Sequence, residues 1–248
     1  DPAMGFANRV GVRLIATEFA YNHVIANAQR LQEYATELRF SRWEYLDTGN
    51  IQSQRLELIP LRMRSVAGDI WRLSAKLNTE GLLPGEPLEN IGIFIPAGEY
   101  EFNRYGSFFR TAGYRKFSFN TWYEDGDFYN GRKQQINPGL SWRPNEHFGL
   151  RLNYDYNKYD FPGISTSTEQ VTLETNVAFD ARWSLTTLIQ YDDISDDIGI
   201  NARLRFNVEA GRDIWLVLNH NRTKLPLEDR FRSTATLAVV KIRYTFRY

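Results

Sequence analysis

Three histidines, His23, His147 and His220, could serve as an imidazole base in this sequence, which has no cysteine to act as a thiolate nucleophile. No Gly-x-Ser-x-Gly elbow, His-Glu-x-x-His helix or glycine-rich phosphate loop accompanies them. His220, near the outer end of its strand, could imitate a hydrolytic site together with the neighbouring acidic segment 192–197, and this is the less favoured interpretation. We therefore predict no catalytic residue, no cofactor and no enzymatic activity.

The acidic segment carries four aspartates, which could hold Ca²⁺ through hard oxygen ligands. They are Asp192, Asp193, Asp196 and Asp197. A solvated loop is the simpler interpretation of such a cluster. We predict no metal site.

Charge is balanced in this chain of 248 residues, with 30 basic and 30 acidic side chains. This balance lacks the broad positive potential that nucleic-acid binding requires, so we expect no nucleic-acid partner. No run of roughly 18 apolar residues is present, which excludes a transmembrane helix. A mean hydropathy of -0.48 is nevertheless compatible with a transmembrane β-barrel, because barrel strands interleave lipid-facing and lumen-facing residues.

Apolar and polar residues alternate with a period of two over long segments. Between Phe148 and Tyr156, every second residue is apolar or aromatic, and the others are polar or glycine. The pattern returns at 171–179, 198–209 and 240–248. Period two predicts β-strands, whose successive side chains point to opposite faces. We place thirteen strands at residues 6–19, 33–46, 50–64, 69–79, 99–112, 114–124, 127–143, 147–158, 168–180, 182–192, 197–210, 213–222 and 231–248.

These strands are longer than the five or six residues typical of soluble sheets, and they match the roughly 9 to 11 tilted residues that cross a bilayer. The predicted fold class is all-β: an antiparallel transmembrane β-barrel of outer-membrane type with about 13–14 strands. Residues 1–248 form one domain in this interpretation. Segment 20–32 is ambiguous and could conceal the fourteenth crossing. A soluble sandwich, the alternative, would leave too little partner surface for so many apolar faces.

The connections differ in length, as expected when periplasmic turns are tight and outer loops are free to grow. We assign short turns near 68–69, 112–113, 143–146, 180–182 and 210–212 to the periplasm. The longer connections 80–98, 159–167, 192–197 and 223–230 are assigned to the outside, together with hairpins near Gly49 and Gly126.

If the apolar faces meet lipid, the opposite faces line a lumen, since a basic residue at the lipid midplane costs roughly 2 to 4 kcal/mol. The predicted lumen-lining residues are Arg151, Asp155, Glu174, Arg203, Arg205, Lys241, Arg243 and Arg247. Basic side chains dominate this set, which favours anionic or sugar-like solutes. The simpler alternative is that these charges pair with carboxylates and hydrate or stiffen the wall.

Six tryptophans lie beside predicted strand ends, where an amphipathic indole suits the membrane interface. The predicted interface girdle consists of Trp43, Trp71, Trp122, Trp142, Trp183 and Trp215.

The end of the chain is the most specific signal, because Tyr244, Phe246 and Tyr248 place an aromatic residue at the last position and at two alternate positions before it. This pattern resembles the β-signal by which assembly machinery recognises outer-membrane barrels. An uncovered soluble edge strand of this kind would be prone to aggregation. We therefore expect the barrel assembly machinery to be a partner.

Several phrases of the sequence are similar to a family of bacterial outer-membrane proteins. They are Asp1-Pro2-Ala3-Met4-Gly5-Phe6 with Asn8-Arg9, Ile95-Pro96-Ala97-Gly98-Glu99-Tyr100, Phe128-Tyr129-Asn130-Gly131, Ile189-Gln190-Tyr191-Asp192, Asn201-Ala202-Arg203-Leu204 and Val240-Lys241-Ile242-Arg243-Tyr244. The family has an N-terminal domain resembling family-nine carbohydrate-binding modules and a large C-terminal β-barrel. The resemblance implies a barrel and further strands upstream, and it supplies no activity or catalytic residue.

We expect an outer-membrane β-barrel for passage or capture of small polar or carbohydrate-like solutes, located in the bacterial outer membrane. The alternative is a non-conducting anchor or structural subunit that displays a domain or holds partners in a complex. Expected partners are the lipid bilayer, the assembly machinery and an upstream domain or other envelope proteins. Loop 80–98 is the expected constriction, because Ile91, Ile93, Phe94 and Ile95 would fold inward or against a partner rather than face water.

Overall fold

Thirteen β-strands run through the part of the chain that the computed structural model describes, residues 11–83, 93–224 and 230–245. They are β1 Val12–Val24, β2 Leu31–Tyr45, β3 Ile51–Ser65, β4 Ile70–Leu82, β5 Gly98–Arg110, β6 Phe117–Phe128, β7 Gly131–Trp142, β8 Phe148–Phe161, β9 Ile164–Ala178, β10 Trp183–Asp192, β11 Asp197–Glu209, β12 Arg212–Lys224 and β13 Phe231–Tyr244. The strands are antiparallel and form one sheet whose order follows the sequence. The predicted all-β class and the count of thirteen strands are confirmed.

The described ranges contain no helix of the length and apolar character needed to cross a membrane.

The ambiguous segment 20–32 holds no separate crossing. β1 continues to Val24, residues 25–30 turn, and β2 begins at Leu31. The Ile25 amide donates to the Gln32 carbonyl at 2.9 Å and closes this hairpin. A fourteenth strand in this segment, one of the two possibilities left open by the sequence, does not occur.

Two predicted loop positions are wrong. The connection expected at 159–167 is a two-residue turn of Pro162 and Gly163, because β8 and β9 extend toward each other. Gly163 has a φ of 82°, which glycine adopts without strain. The hairpin expected near Gly126 lies at Tyr129 and Asn130 instead, and Gly126 is inside β6.

Within the sheet, contacts divide the chain into two compact units. Unit 1 contains Asp1–Phe109, Trp122–Gln135 and Lys158–Thr166, and unit 2 contains Arg110–Thr121, Ile136–Asn157 and Ser167–Tyr248. The single domain remains a prediction.

Strand register separates two faces in unit 2, which we name its charged face and its apolar face. Arg205 lies opposite Ser184 on β10 and Trp215 on β12. The adjacent Leu204 lies opposite Leu185 and Leu216. Because cross-strand partners point to the same side of a sheet, one polar row and one apolar row alternate along these strands.

Unit 1 has the same two faces. Glu18, Arg39, Glu57 and Lys76 are successive cross-strand partners on β1 to β4 and define its charged face. The neighbouring row on its apolar face contains Phe19, Leu38, Leu58 and Ala75.

Burial is inverted relative to a water-soluble sheet. Charged side chains such as Glu37, Arg104 and Asp213 are among the buried residues, at 5%, 5% and 1% exposure. Large apolar side chains such as Phe19 and Ile242 are 67% and 74% exposed. Several charged side chains are therefore covered, while many large apolar side chains are open.

Candidate functional site

A ladder of opposite charges, with one pair of adjacent cations, crosses the charged face of unit 1. Its members are Glu18 on β1, Arg39 on β2, Glu57 on β3, Lys76 on β4, Arg104 on β5 and Glu124 on β6. Arg39 Nε lies 3.3 Å from Glu18 Oε1, and its Nη1 lies 3.7 Å from Glu57 Oε2. Glu124 accepts from Lys76 and pairs with Arg104 Nε at 2.6 Å. We call these six residues the charge ladder.

A groove of about 440 Å³ lies beside the first rungs of the charge ladder. Arg55 and Ser41 line it with Glu18, Arg39 and Glu57. Its volume is within the range of small-molecule sites, and its walls offer both donors and acceptors. This groove therefore suits an uncharged, hydroxyl-rich molecule.

The segment before β5 folds against the charged face of unit 1. Ile93 and Ile95 are 4% and 1% exposed, and they form a core with Tyr159. Packed against this core are Leu82, Tyr100, Phe128, Tyr129 and Phe161. We call these eight residues the capping cluster. The expected burial of the loop is confirmed for Ile93 and Ile95 and wrong for Phe94, which is 70% exposed, while Ile91 lies outside the described residues.

Two cations lie under the capping cluster. Lys133 Nζ is 5.4 Å from the Phe128 ring centroid and 5.1 Å from that of Tyr159, and Arg104 is 5.7 Å from Phe128. Arg104 is buried, and its Nη2 has no hydrogen-bond partner among the described residues. The ring faces compensate part of the lost hydration of both cations.

Tyr129, in the turn between β6 and β7, belongs to the capping cluster. Burial raises the pKa of its phenol to about 12, and the nearby Glu80 and Tyr100 act in the same direction. The phenol is therefore a neutral group near pH 7.

On the charged face of unit 2, the structure joins several predicted lumen residues into polar contacts. Arg151 Nη1 donates to Glu174 Oε2 at 3.1 Å, and Asp155 accepts from Asn137. Arg203 is the cross-strand partner of Thr186 on β10 and shares this face. The location of these side chains in a lumen remains a prediction.

A second groove, of about 500 Å³, lies at the start of β8, the end of β9 and the start of β10. Arg143, Arg151, Asn176, Ser184 and Thr186 are among its lining residues. Thr186 Oγ1 donates to Asn176 Oδ1 at 2.8 Å, so the hydroxyl and amide of the wall are fixed in orientation. Two arginines and one glutamate line this groove, whereas two arginines and two glutamates line the groove in unit 1, so the second groove is the more basic.

Asp213 connects three strands beneath the charged face of unit 2. Its Oδ1 accepts from Arg205 Nε at 2.9 Å, Arg205 Nη2 at 2.6 Å and Asn207 Nδ2 at 2.8 Å, and its Oδ2 accepts from Arg243. The carboxylate side chain is fully buried. Asp213 thus fixes two of the predicted lumen arginines, and its role was missed because the sequence pattern assigns it only to a strand end.

The six tryptophans do not share a face. Trp71, Trp142 and Trp183 lie on apolar faces, where Trp142 contacts Phe148 and Trp183 stacks on Phe206. The other three, Trp43, Trp122 and Trp215, lie on charged faces. The membrane girdle remains a prediction, because proximity to a turn fixes the position of a residue along its strand and leaves its face undetermined.

The terminal signal is described in part. Tyr244 lies on the apolar face, and the Arg212 guanidinium is 4.2 Å from its ring centroid. Phe246, Arg247 and Tyr248 lie outside the described residues.

The histidines and the acidic segment take structural positions. His220 Nδ1 is 2.8 Å from Thr236 Oγ1, and His147 Nδ1 is 2.9 Å from the Ala178 carbonyl. Asp192 accepts from the Ile194 amide, and Asp193 from the Glu169 amide. In the part of the chain that the structure describes, no group of three or more histidine, cysteine or acidic side chains could hold a metal ion.

The charge ladder was missing from the predicted lumen residues, which came from β8 to β13. Its signal is nevertheless present: Arg39 is flanked by Leu38 and Phe40, and Glu57 by Leu56 and Leu58. The same period of two that identified the later strands would have found it. The pairing of each charge with its neighbour depends on register, which the sequence does not state.

Neither a scan against protein-family models nor a search of curated proteins found a match.

Proposed function

We propose that this chain forms part of an outer-membrane β-barrel whose charged faces pass or capture small polar or carbohydrate-like solutes. The observation that carries the proposal is the separation of faces by strand register. Charged rows and apolar rows alternate along strands of 10 to 15 residues in both units. Strands of this length and polarity suit a bilayer.

The apolar faces support contact with lipid. Leu216, Val240 and Ile242 on adjacent strands are 49%, 64% and 74% exposed, so a continuous apolar surface has no protein cover there. Exposing such a surface to water costs roughly 25 cal/mol per Å². Acyl chains remove this cost, which is the reason to propose the bacterial outer membrane as the location and the lipid bilayer as the first partner.

The charged faces support a water-filled interior. Most of their charges already have partners, as in the charge ladder. The charged face of unit 1 is therefore polar but carries little net charge. Paired guanidinium and carboxylate groups present donors and acceptors close together, as a sugar requires. Small hydroxyl-rich solutes are therefore the proposed cargo.

The aromatic end of the chain and the exposed strand faces support two further partners. Tyr244 fits recognition by the barrel assembly machinery, and an upstream domain or other envelope proteins would complete the assembly. These partners follow from the resemblance to barrels with upstream regions.

The proposal is tested by reconstituting the full chain into planar bilayers and into liposomes loaded with polymer. We expect stepwise ohmic current and faster liposome swelling in galactose than in the larger trisaccharide raffinose. Protease protection verifies that the protein has inserted. If the inserted protein then gives no current in the bilayer and no swelling of the liposomes, solute passage is contradicted.

A non-conducting anchor is the second candidate, and the capping cluster favours it. Ile93 and Ile95 cover part of the charged face of unit 1, which would narrow a lumen. The double variant Ile93→Ser and Ile95→Ser should detach this segment and raise single-channel conductance at least twofold. Equal conductance of the double variant and the wild type would reject occlusion by the capping cluster, and Phe94→Ser serves as the exposed control.

A further inference from the structure

Trp215 lies where an aromatic side chain could contact a solute. Its cross-strand partners on the charged face of unit 2 are Arg205 and Lys241. The Arg243 guanidinium is 5.4 Å from the indole centroid, so this ring faces the polar side of the sheet. The indole is half-buried, which leaves part of its surface open.

The cations around the indole exceed the carboxylates that neutralise them. Arg205 and Arg243 share the single carboxylate of Asp213. Lys241 has no ion pair within the described residues, and it is exposed. Three cations therefore face one carboxylate around Trp215, and this surface attracts an anion.

Two of these cations, Arg205 and Arg243, are held in position before any ligand binds. Asp213 is fully buried and uses both oxygens to hold Arg205 and Arg243. Both guanidinium groups keep more than two fifths of their side-chain surface exposed, at 44% and 58%. A ligand at this surface would therefore spend little free energy on ordering its partners.

We propose that Trp215, Arg205, Lys241 and Arg243 form a binding platform for a sugar that carries an anionic group. The apolar face of a sugar ring would stack on the indole, and its carboxylate or phosphate would pair with Lys241 and an adjacent guanidinium. This inference rests on the proposed function only for the class of solute, namely sugars. It selects acidic sugars over the neutral sugars that suit the groove of unit 1.

The platform is tested by isothermal titration calorimetry on the full chain in detergent micelles with galacturonate, galactose 6-phosphate and galactose. We expect both acidic sugars to bind at least tenfold more tightly than galactose. A stronger response to only one of them identifies a carboxylate or a phosphate as the preferred group.

Two variants separate the parts of the platform. Trp215→Ala should weaken galacturonate binding at least tenfold, and Lys241→Gln should weaken galacturonate binding while it leaves galactose binding unchanged. Trp183→Phe is the matched control, because Trp183 stacks on Phe206 on the apolar face and should not affect binding. Trp215→Phe, which keeps a ring, confirms folding and should retain most of the affinity.

The platform would be overturned if the wild type bound both acidic sugars no more tightly than galactose. It would also be overturned if Trp215→Ala and Lys241→Gln both left the affinity for galacturonate unchanged. Failure of solute passage has a different signature, namely silence in planar bilayers while binding in micelles persists. The two outcomes are therefore distinguishable.

Discussion

Asp213 illustrates how a single residue organises the charged face of unit 2. A buried carboxylate loses its hydration, and three donor side chains replace the lost water. Removal of its charge leaves Arg205 and Arg243 without their shared partner. The residue thus connects local stability to the geometry of the proposed platform.

Asp213→Asn should lower the urea midpoint of the protein in micelles, measured by tryptophan fluorescence, because two guanidinium groups lose a charge-assisted acceptor. Glu174→Gln is the control, since its pair with Arg151 is solvated and worth less than about 1 kcal/mol. Equal midpoints for the two variants would show that Asp213 is not a special contact.

The phenol of Tyr129 gives a pH prediction. Its folded pKa of about 12 lies above the usual value of 10, so the folded state keeps this proton longer than the unfolded state. The neutral phenol therefore stabilises the folded state fully below about pH 10, and this stabilisation is lost as pH rises toward 12. The difference in tyrosinate absorbance between wild type and Tyr129→Phe should therefore titrate near pH 12, and a midpoint at 10 would contradict burial of the phenol.

At the residue scale, the sequence pattern predicted the face of the sheet on which a residue lies better than it predicted the residues that it contacts. Period two placed Arg203 and Arg205 on one face, and register bears this out. Closeness to a turn placed Trp215 in the predicted girdle, whereas its register along β12 places it on the charged face. The buried position of Asp213 could not be predicted, since burial depends on which strands lie beside it.

At the element scale, strand existence was predictable and turn position was less so. Alternation extends through β10 to β12, so their bounds are close to those predicted, whereas β9 begins four residues earlier than predicted. Gly126 misled the prediction, because a glycine inside a strand resembles a turn signal. Its function in β6 is a close approach between strands rather than a reversal of the chain.

Gly126→Ala should destabilise the protein by about 1–3 kcal/mol, because Gly126 has a φ of 151° and an added Cβ would lie 2.3 Å from the Asn103 carbonyl oxygen. The free energy of unfolding in urea measures the effect. Gly113→Ala, where an added Cβ meets no atom within 4 Å, should stay within about 0.5 kcal/mol of wild type. A Gly126→Ala variant as stable as this control would contradict the strand geometry.

For the whole molecule, the net charge of zero does not reveal that charged and apolar side chains lie on opposite faces of the sheet. Equal numbers of acidic and basic residues indicate no partner by themselves, yet register gathers many of them on one side of each unit. Composition could therefore favour the prediction of no nucleic-acid partner but could not locate charged surfaces. The location followed once cross-strand pairs were known.

The most direct test of the account uses single cysteines in this naturally cysteine-free chain. Positions 214, 216 and 218 represent the apolar face of β12, and positions 215, 217 and 219 its charged face. In proteoliposomes, fluorophores on the first set should be quenched by brominated acyl chains, and those on the second set by aqueous iodide. Loss of this alternation, or iodide quenching of both sets alike, would contradict the assignment of lipid and solute to opposite faces.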